Sequence, residues 1–244
     1  MIVFCAFFIF LFLSLLQSGF LKKVLQRNLN DWVLDLVNLG VQGLLIPFLQ
    51  VCFTVAALHY FLPKYSGVLD WHPVIGFFIN FIVIDYLYYW NHRALHSNKL
   101  WSLHAVHHSA TNLDLFMTSR NSVWSSFFIV YFWLNSVLIF LFKDPSGVIL
   151  GASITAVLDI WRHTDLWASS KWTAKLGMVF ITPCAHHWHH SRNTVNCNFG
   201  ANLIIWDHLH GTAKSTEELP VEIGAPLEGN GPRLIYPLFS KREV

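Results

Sequence analysis

The chain has 244 residues, of which 54% are hydrophobic and only 12% are charged, and its formal net charge is +2. Soluble domains carry about 25% charged residues, so the composition predicts a protein whose main solvent is lipid. A net charge this small argues against a nucleic-acid partner. Four cysteines without a Cys-x-x-Cys pair favour buried or reduced thiols over a disulfide or a cysteine metal site.

Five hydrophobic segments predict membrane-spanning helices, since about 20 apolar residues cross a bilayer. They cover residues 1–21, 39–62, 73–91, 123–142 and 145–161. The first lacks a preceding basic residue and a small-residue cleavage site, which favours a retained span over a signal peptide. The turn at 143–147 predicts antiparallel packing of the last two, and the fifth either crosses fully or forms a partial hairpin. The predicted fold class is an all-α integral membrane protein with four to five transmembrane helices.

The basic residues predict the orientation of these spans. Lys22, Lys23 and Arg27 follow the first segment and place its end in the cytoplasm by the positive-inside rule. If the spans alternate in direction, Lys64 and Lys143 are the only basic residues predicted to lie outside the cytoplasm. The residues after the third and fifth segments fall inside, where we expect a cytoplasmic, histidine-rich helical cap.

Three histidine clusters carry the strongest functional signal: HRALH at 92–96, HAVHH at 104–108 and HHWHH at 186–190. Residues three and four apart lie on the same face of a helix, and neutral imidazole is the commonest metal-binding side chain. Eight or nine histidines at one membrane face suit two metal ions with four or five ligands each. The candidate metal ligands are His92, His96, His104, His107, His108, His163, His186, His189 and His190.

The other histidines fit this pattern less well. His187 follows His186 directly and points elsewhere on a helix, so we leave it out of the ligand set. His208 and His210 are expected at the surface or behind the ligands, and a further pair, His59 and His72, at the opposite membrane interface. Imidazole suits zinc, copper, iron and nickel alike, so spacing does not choose the metal.

Acidic residues near the clusters are candidates to orient the ligands, because metal-binding imidazoles usually donate their second N–H to a carboxylate or carbonyl. Asp85 lies two helical turns before His92, deep in an apolar span where a carboxylate is functional by default. Asp159 lies one turn before His163. For each, an ordinary hydrogen bond between packed helices, or between Asp85 and the tyrosines beside it, remains an alternative. The further candidates are Asn198 and Asp207.

Five blocks of sequence together resemble one known family. They are DYLYYWNHRALHSNKLWSLHAVHHS at 85–109, TSR at 118–120, HTDL at 163–166, TPCAHHWHHS at 182–191 and NFGANLIIWDHLHGT at 198–212. Their order and spacing are similar to those of the fatty acid hydroxylase/sterol desaturase superfamily of integral membrane di-iron oxygenases. The resemblance predicts an N-terminal transmembrane region at 1–72, a catalytic domain at 73–225 and a cytoplasmic tail at 226–244.

The resemblance implies the chemistry of the site. The eight cluster histidines would hold two iron ions, with His163 as a further ligand, and no catalytic residue separate from the metal centre is implied. With O2 as co-substrate, the enzyme would hydroxylate or desaturate a lipid at the membrane. His208, His210 and Asn121 depart from residues that are frequent in the family, which bears on substrate fit more than on metal binding.

Oxygen chemistry also requires electrons. The sequence shows no His-Pro-Gly-Gly haem-carrier motif, no glycine-rich dinucleotide motif and no ferredoxin-like run of cysteines. We therefore expect an external donor, a separate reductase or electron-transfer protein, at the cytoplasmic face.

Two other function classes stay open at this point. A membrane metal store or transporter would need polar ligands at several depths inside its spans, whereas these histidines lie past the span ends. A non-catalytic relative would keep the histidine clusters without turnover. The motifs also leave the lipid open among fatty acyl chains, sterols, sphingoid bases, ether lipids and carotenoids.

Overall fold

The computed structural model describes residues 1–193, 196–214, 218–227 and 232–236, and in these ranges the protein is all-helical. Pairing of extended backbone in the described chain is limited to isolated bridges. The helices are α1 Ile2–Leu15, α2 Phe20–Leu25, α3 Leu29–Phe61, α4 Pro73–Leu95, α5 Ala105–His108, α6 Ser125–Phe128, α7 Val130–Leu141, α8 Ser146–Arg162, α9 Lys171–Leu176, α10 Pro183–His189 and α11 Ile205–Leu209.

Within the described residues, two helices are long and apolar enough to cross a membrane: α3 with 33 residues and α4 with 23. α1 and α7 are apolar but contain only 14 and 12 residues. At 1.5 Å per residue they rise about 21 and 18 Å, less than the hydrocarbon thickness of about 30 Å. α8, with 17 residues, is intermediate in length.

Two of the predicted apolar segments are interrupted. The segment predicted at 1–21 ends as a helix at Leu15, and Gly19, at a φ of 92°, turns the chain into α2. Glycine adopts this left-handed conformation without steric penalty. The segment predicted at 123–142 breaks at Ile129, whose extended backbone separates α6 from α7.

α3 begins ten residues earlier than the apolar segment predicted from 39. Asn28 caps its first turn, with Oδ1 accepting a hydrogen bond from the amide of Asp31 at 2.8 Å. The first turns carry Asp35 and Asn38, both fully buried. Hydropathy excludes this part of the helix because it is polar. A sequence window does not show that Asp35 forms ion pairs with Arg27 and Arg120.

The packing of α4 on α8 positions the site. Gly147 at the start of α8 meets the start of α4 so closely that an added Cβ would lie 1.7 Å from the carbonyl oxygen of Pro73. One helical turn on, a Cβ added at Gly151 would lie 2.8 Å from the side-chain oxygen of Asn80. The two helices therefore run side by side in the same direction, and their C-terminal ends bring His92 and His163 to one end of the molecule.

α7 runs antiparallel to α4. Near one end the amide of Asn91 donates to the carbonyl of Phe128 at 2.9 Å, and near the middle Asn80 donates to Asn135 at 2.7 Å. α7 is followed by the turn that leads into α8. Because α8 runs parallel to α4, α7 and α8 are antiparallel to each other, as the sequence predicts.

The described part of the predicted tail packs back onto the protein. Directly before the tail, at the end of the predicted catalytic domain, the amides of Gly224 and Ala225 donate to the carbonyls of His190 and His108, at 3.0 and 2.7 Å. Tyr236 is buried in a cluster with Leu34. Residues 228–231 and 237–244 of the predicted tail lie outside the described residues.

Candidate metal centre

All nine predicted histidines lie together at one end of the molecule. They come from the end of α4, the turn into α5 and α5 itself, the end of α8, and α10. The structure sorts them into two groups, in each of which one ligand atom per residue lies within 4.8 Å of the others. The five-histidine group is His92, His96, His104, His108 and His189, and the four-histidine group is His107, His163, His186 and His190.

The four-histidine group converges through its Nε2 atoms. His186 Nε2 lies 2.9 Å from that of His163 and 3.1 Å from that of His190, and His163 Nε2 lies 3.4 Å from that of His107. Bonds of about 2.0–2.1 Å from a tetrahedral ion place ligand nitrogens about 3.3 Å apart. The observed spacing therefore fits a metal ion with little rearrangement.

The five-histidine group has the same character. Nε2 of His92 lies 2.9 Å from Nε2 of His104, and the ring of His189 lies 4.5 Å from that of His92. Within the described structure, both ring nitrogens of His108 and Nε2 of His189 are buried without a hydrogen-bond partner. Buried nitrogens left unpaired cost free energy, and a bound metal ion would satisfy them.

The two groups adjoin each other. The rings of His108 and His190, one from each group, stack with centroids 4.3 Å apart. His104 and His107 form a second contact of this kind at 5.0 Å. Two ions held here would be close neighbours, as a paired metal centre requires.

Backbone carbonyls orient several of the rings. A donated Nδ1–H fixes the tautomer and leaves the Nε2 lone pair free for a metal. The pairs are His92 with Phe199 (2.8 Å), His107 with Arg120 (3.1 Å), His163 with Asp159 (2.6 Å) and His189 with Cys197 (2.7 Å).

Burial also keeps the imidazoles neutral. It lowers the pKa of His107 to about 3, with the neighbouring His163 adding to the effect. Burial likewise holds the pKa values of His104, His108 and His190 well below the usual value for histidine. Neutral imidazole is the metal-binding form, so the centre is prepared for a cation at neutral pH.

Asp85 makes hydrogen bonds between packed elements, the alternative that the sequence left open. Its buried carboxylate accepts hydrogen bonds from the amides of Asn202 and Leu203, at 2.8 and 3.0 Å, and from the indole of Trp206 at 2.8 Å. In the described structure, no hydrogen bond joins the Asp85 carboxylate to His92, whose ring contacts Phe199 and His104 instead. Asp85 therefore ties α4 to the segment leading into α11 and does not orient His92 directly.

Asp159 lies beside His163, where the sequence places it. Its backbone carbonyl accepts the Nδ1–H of His163, and its carboxylate lies 3.4 Å from the same nitrogen. The carboxylate also pairs with Arg162. The orienting acceptor is thus the backbone of Asp159 more than its side chain.

Asp207 and Asn198 hold the loop behind the ligands. Asp207 accepts hydrogen bonds from the amides of Phe199 and Gly200 at 2.7 and 2.9 Å, so it fixes the carbonyl that orients His92. Asn198, at a φ of 53° that asparagine tolerates, donates to the carbonyl of Ala185 in α10 at 2.8 Å.

The histidines left out of the predicted ligand set lie outside both groups. His187 is buried facing Asp165, 3.7 Å away, and His210 stacks on Tyr89 with ring centroids 5.0 Å apart. His208 is exposed. His59 binds the carbonyl of Thr54 at 2.8 Å, and His72 caps α4.

The protein thus combines long apolar helices with two adjoining groups of histidines that could each hold a metal ion. The family model for fatty acid hydroxylase matches residues 77–212. The match covers more than half of the chain and includes all nine histidines, so the chain belongs to the fatty acid hydroxylase family. No solved structure matches it.

Curated relatives agree with this assignment. An alkylglycerol monooxygenase of Danio rerio is 29% identical over 84% of this chain and 46% of its own length. The human alkylglycerol monooxygenase is 30% identical over 62% of this chain and 33% of its own length. The ornithine lipid hydroxylase OlsE of Rhizobium tropici is 31% identical over 59% of this chain and 43% of its own length. The chain thus spans less than half the length of these relatives.

Proposed function

We propose that this chain is an O2-dependent oxidoreductase that hydroxylates a lipid in the membrane. The observation that carries the proposal is the pair of adjoining histidine groups at one end of the apolar helices. The names of the relatives, a monooxygenase and a lipid hydroxylase, favour hydroxylation over desaturation. A transport function is less suited, because both histidine groups of the described chain lie at one end and not at several depths.

We assign one iron ion to each group, giving a di-iron centre held by all nine histidines. Iron bound there supplies the reduction of O2 and the oxidation of an inert C–H bond. The chain's own part is to hold the ligands neutral, exclude water and fix the ring orientations. The four backbone carbonyls that accept Nδ1–H do the last of these. Near-complete burial of eight of the nine histidines, with His96 partly buried, does the first two.

We infer that α3 and α4 cross the membrane and that α1, α7 and α8 complete four to five spans. The contacts support alternation, since α7 runs antiparallel to α4 and α8 parallel to it. The basic residues after α1 lie at the metal-centre end, where Lys23 pairs with Asp165. By the positive-inside rule that end is cytoplasmic, and the residues past the spans form the histidine-rich cap.

We assign the catalytic domain to residues 73–225, preceded by a transmembrane region at 1–72 and followed by a tail at 226–244. The substrate is a membrane lipid whose alkyl chain reaches the centre from the bilayer. A separate reductase or electron-transfer protein supplies electrons from the cytoplasmic side.

Mass spectrometry of cellular lipids tests this function. Cells that express the chain should accumulate a lipid about 16 mass units heavier than its precursor, the mass of one added oxygen atom. Cells that express His186→Ala should not, because a metal ligand is lost, whereas His187→Gln on the same helix should behave like the wild type. Unchanged lipids in the presence of iron-loaded protein and a reductase would contradict the proposal, and a loss of about 2 mass units would indicate desaturation.

A further inference from the structure

A buried network of charges connects α3 to the metal centre. Arg120 is 2% exposed and Asp35 is fully buried. The guanidinium donates from Nε and Nη2 to the two oxygens of the Asp35 carboxylate, at 2.6 and 2.7 Å. This two-point pairing fixes the position and the plane of both side chains more firmly than a single contact can.

Further residues balance the charge of this pair. Arg27 contacts Asp35 at 2.6 Å, and Asp31 contacts the third nitrogen of Arg120 at 3.2 Å. At the edges of the network, Asp114 pairs with Arg27 and Arg233 pairs with Asp31. Three arginines therefore meet three carboxylates. All three nitrogens of the Arg120 guanidinium are engaged, so the residue has little freedom to move.

The same arginine reaches the four-histidine group through its backbone. Its carbonyl oxygen accepts the Nδ1–H of His107 at 3.1 Å. The Nε2 of that ring faces His163 at 3.4 Å. Arg120 is thus anchored to α3 by its side chain and orients a candidate ligand with its main chain.

We propose that Asp35 is a positioning residue for the four-histidine group, acting through Arg120 on His107. Asp35, like Arg27, lies outside the stretch 77–212 that the family model matches. α3 therefore takes part in shaping the metal centre in addition to its place in the membrane. The inference rests on the proposed binding of a metal ion by each histidine group.

Titration of the metal-free, full-length chain with Co2+ tests the inference without an activity assay, because the visible spectrum of Co2+ reports its ligands. The wild type should show two binding events. Loss of a partner behind a ligand typically weakens metal affinity about 10- to 100-fold. Asp35→Asn should show this weakening at one event only, the event that His107→Ala abolishes, and Asp35→Glu should restore part of the affinity.

Two further variants separate positioning from general destabilisation. Asp35→Asn/Arg120→Met removes both members of the pair, leaves no unpaired arginine, and should still weaken the same event. Phe140→Ala opens the buried core at the opposite end of the molecule and should leave both affinities at the wild-type value.

The outcomes distinguish the two levels of the proposal. A wild type that binds no metal would overturn the proposed function itself. A wild type with two sites, together with Asp35 variants that bind as tightly as the wild type or lose both sites equally, would overturn the positioning role alone. Weakening by Phe140→Ala equal to that by Asp35→Asn would overturn it as well.

Discussion

His107 and His108 are consecutive in the chain, yet their rings belong to different histidine groups. Their ring centroids lie 5.6 Å apart at an angle of 84° between the planes. His107 belongs to the four-histidine group and faces His163. His108 belongs to the five-histidine group, although its ring stacks on His190 of the four-histidine group. α5 therefore contributes to both groups, and its position controls the spacing between them.

We predict that Gly147→Ala disturbs the fold and the centre together. A Cβ at this position would lie 1.7 Å from the carbonyl oxygen of Pro73, so α4 and α8 must separate. Overpacking of this kind costs about 1–3 kcal/mol. Thermal unfolding should show a lower melting temperature, and metal content should fall because His92 and His163 lie at the ends of the displaced helices.

Gly43→Ala is the matched control. Gly43 lies on α3, and an added Cβ would meet nothing within 4 Å. Replacing a helical glycine by alanine gains up to about 1 kcal/mol, so this variant should melt at or above the wild-type temperature. Equal melting temperatures for Gly147→Ala and the wild type would contradict the close approach of the two helices.

We predict that Asp207→Ala destabilises the protein and weakens the five-histidine group. The change leaves the buried amides of Phe199 and Gly200 without their acceptor, and each lost partner costs about 1–3 kcal/mol. Phe199 orients His92, so one metal-binding event should weaken together with the melting temperature. Asp70→Ala, which removes an exposed carboxylate, should change stability by less than about 0.5 kcal/mol; an effect of Asp207→Ala no larger than this would be inconsistent with its structural role.

We predict that the metal-free chain loses stability as the pH falls. The pKa of His107 is lowered in the folded state to about 3, from an ordinary value of 6.5. The unfolded chain therefore binds more protons between these values, and folding is weakened as the pH falls through that window. Each such histidine contributes about 1.4 kcal/mol per pH unit, so melting temperatures should drop steadily from pH 7 to pH 5.

His107→Gln provides the control for the pH dependence, since glutamine does not titrate. The slope of stability against pH should become shallower in this variant. A metal-free wild type whose melting temperature is constant from pH 7 to pH 5 would show that the buried histidines do not titrate as the structure requires.

Much of the centre could be predicted from sequence because helical spacing is a local property. The three clusters and His163 are brought together, and His187 lies outside both groups. The division of neighbouring histidines between two groups could not be predicted, because it depends on how α5 packs against the ends of α8 and α10. The orienting carbonyls of Phe199, Arg120 and Cys197 have no sequence signal, since every residue carries a carbonyl.

The fold shows the same limit. Apolar composition predicts α4 and most of α3, but the polar first turns of α3 were missed, because Asp35 is satisfied by Arg120, 85 residues away in the chain. The depth of Asp85 in an apolar segment predicts a side chain with polar partners, which the structure provides. Its partners, Asn202, Leu203 and Trp206, lie more than 115 residues further on, so only the tertiary structure identifies them.

Metal analysis of the purified chain tests the central claim most directly. Elemental mass spectrometry of the wild type should find two iron ions per chain, one for each histidine group. His186→Ala should lose metal, and His187→Gln on the same helix should retain both ions. A single zinc ion per chain that survives His107→Ala would contradict the di-iron centre.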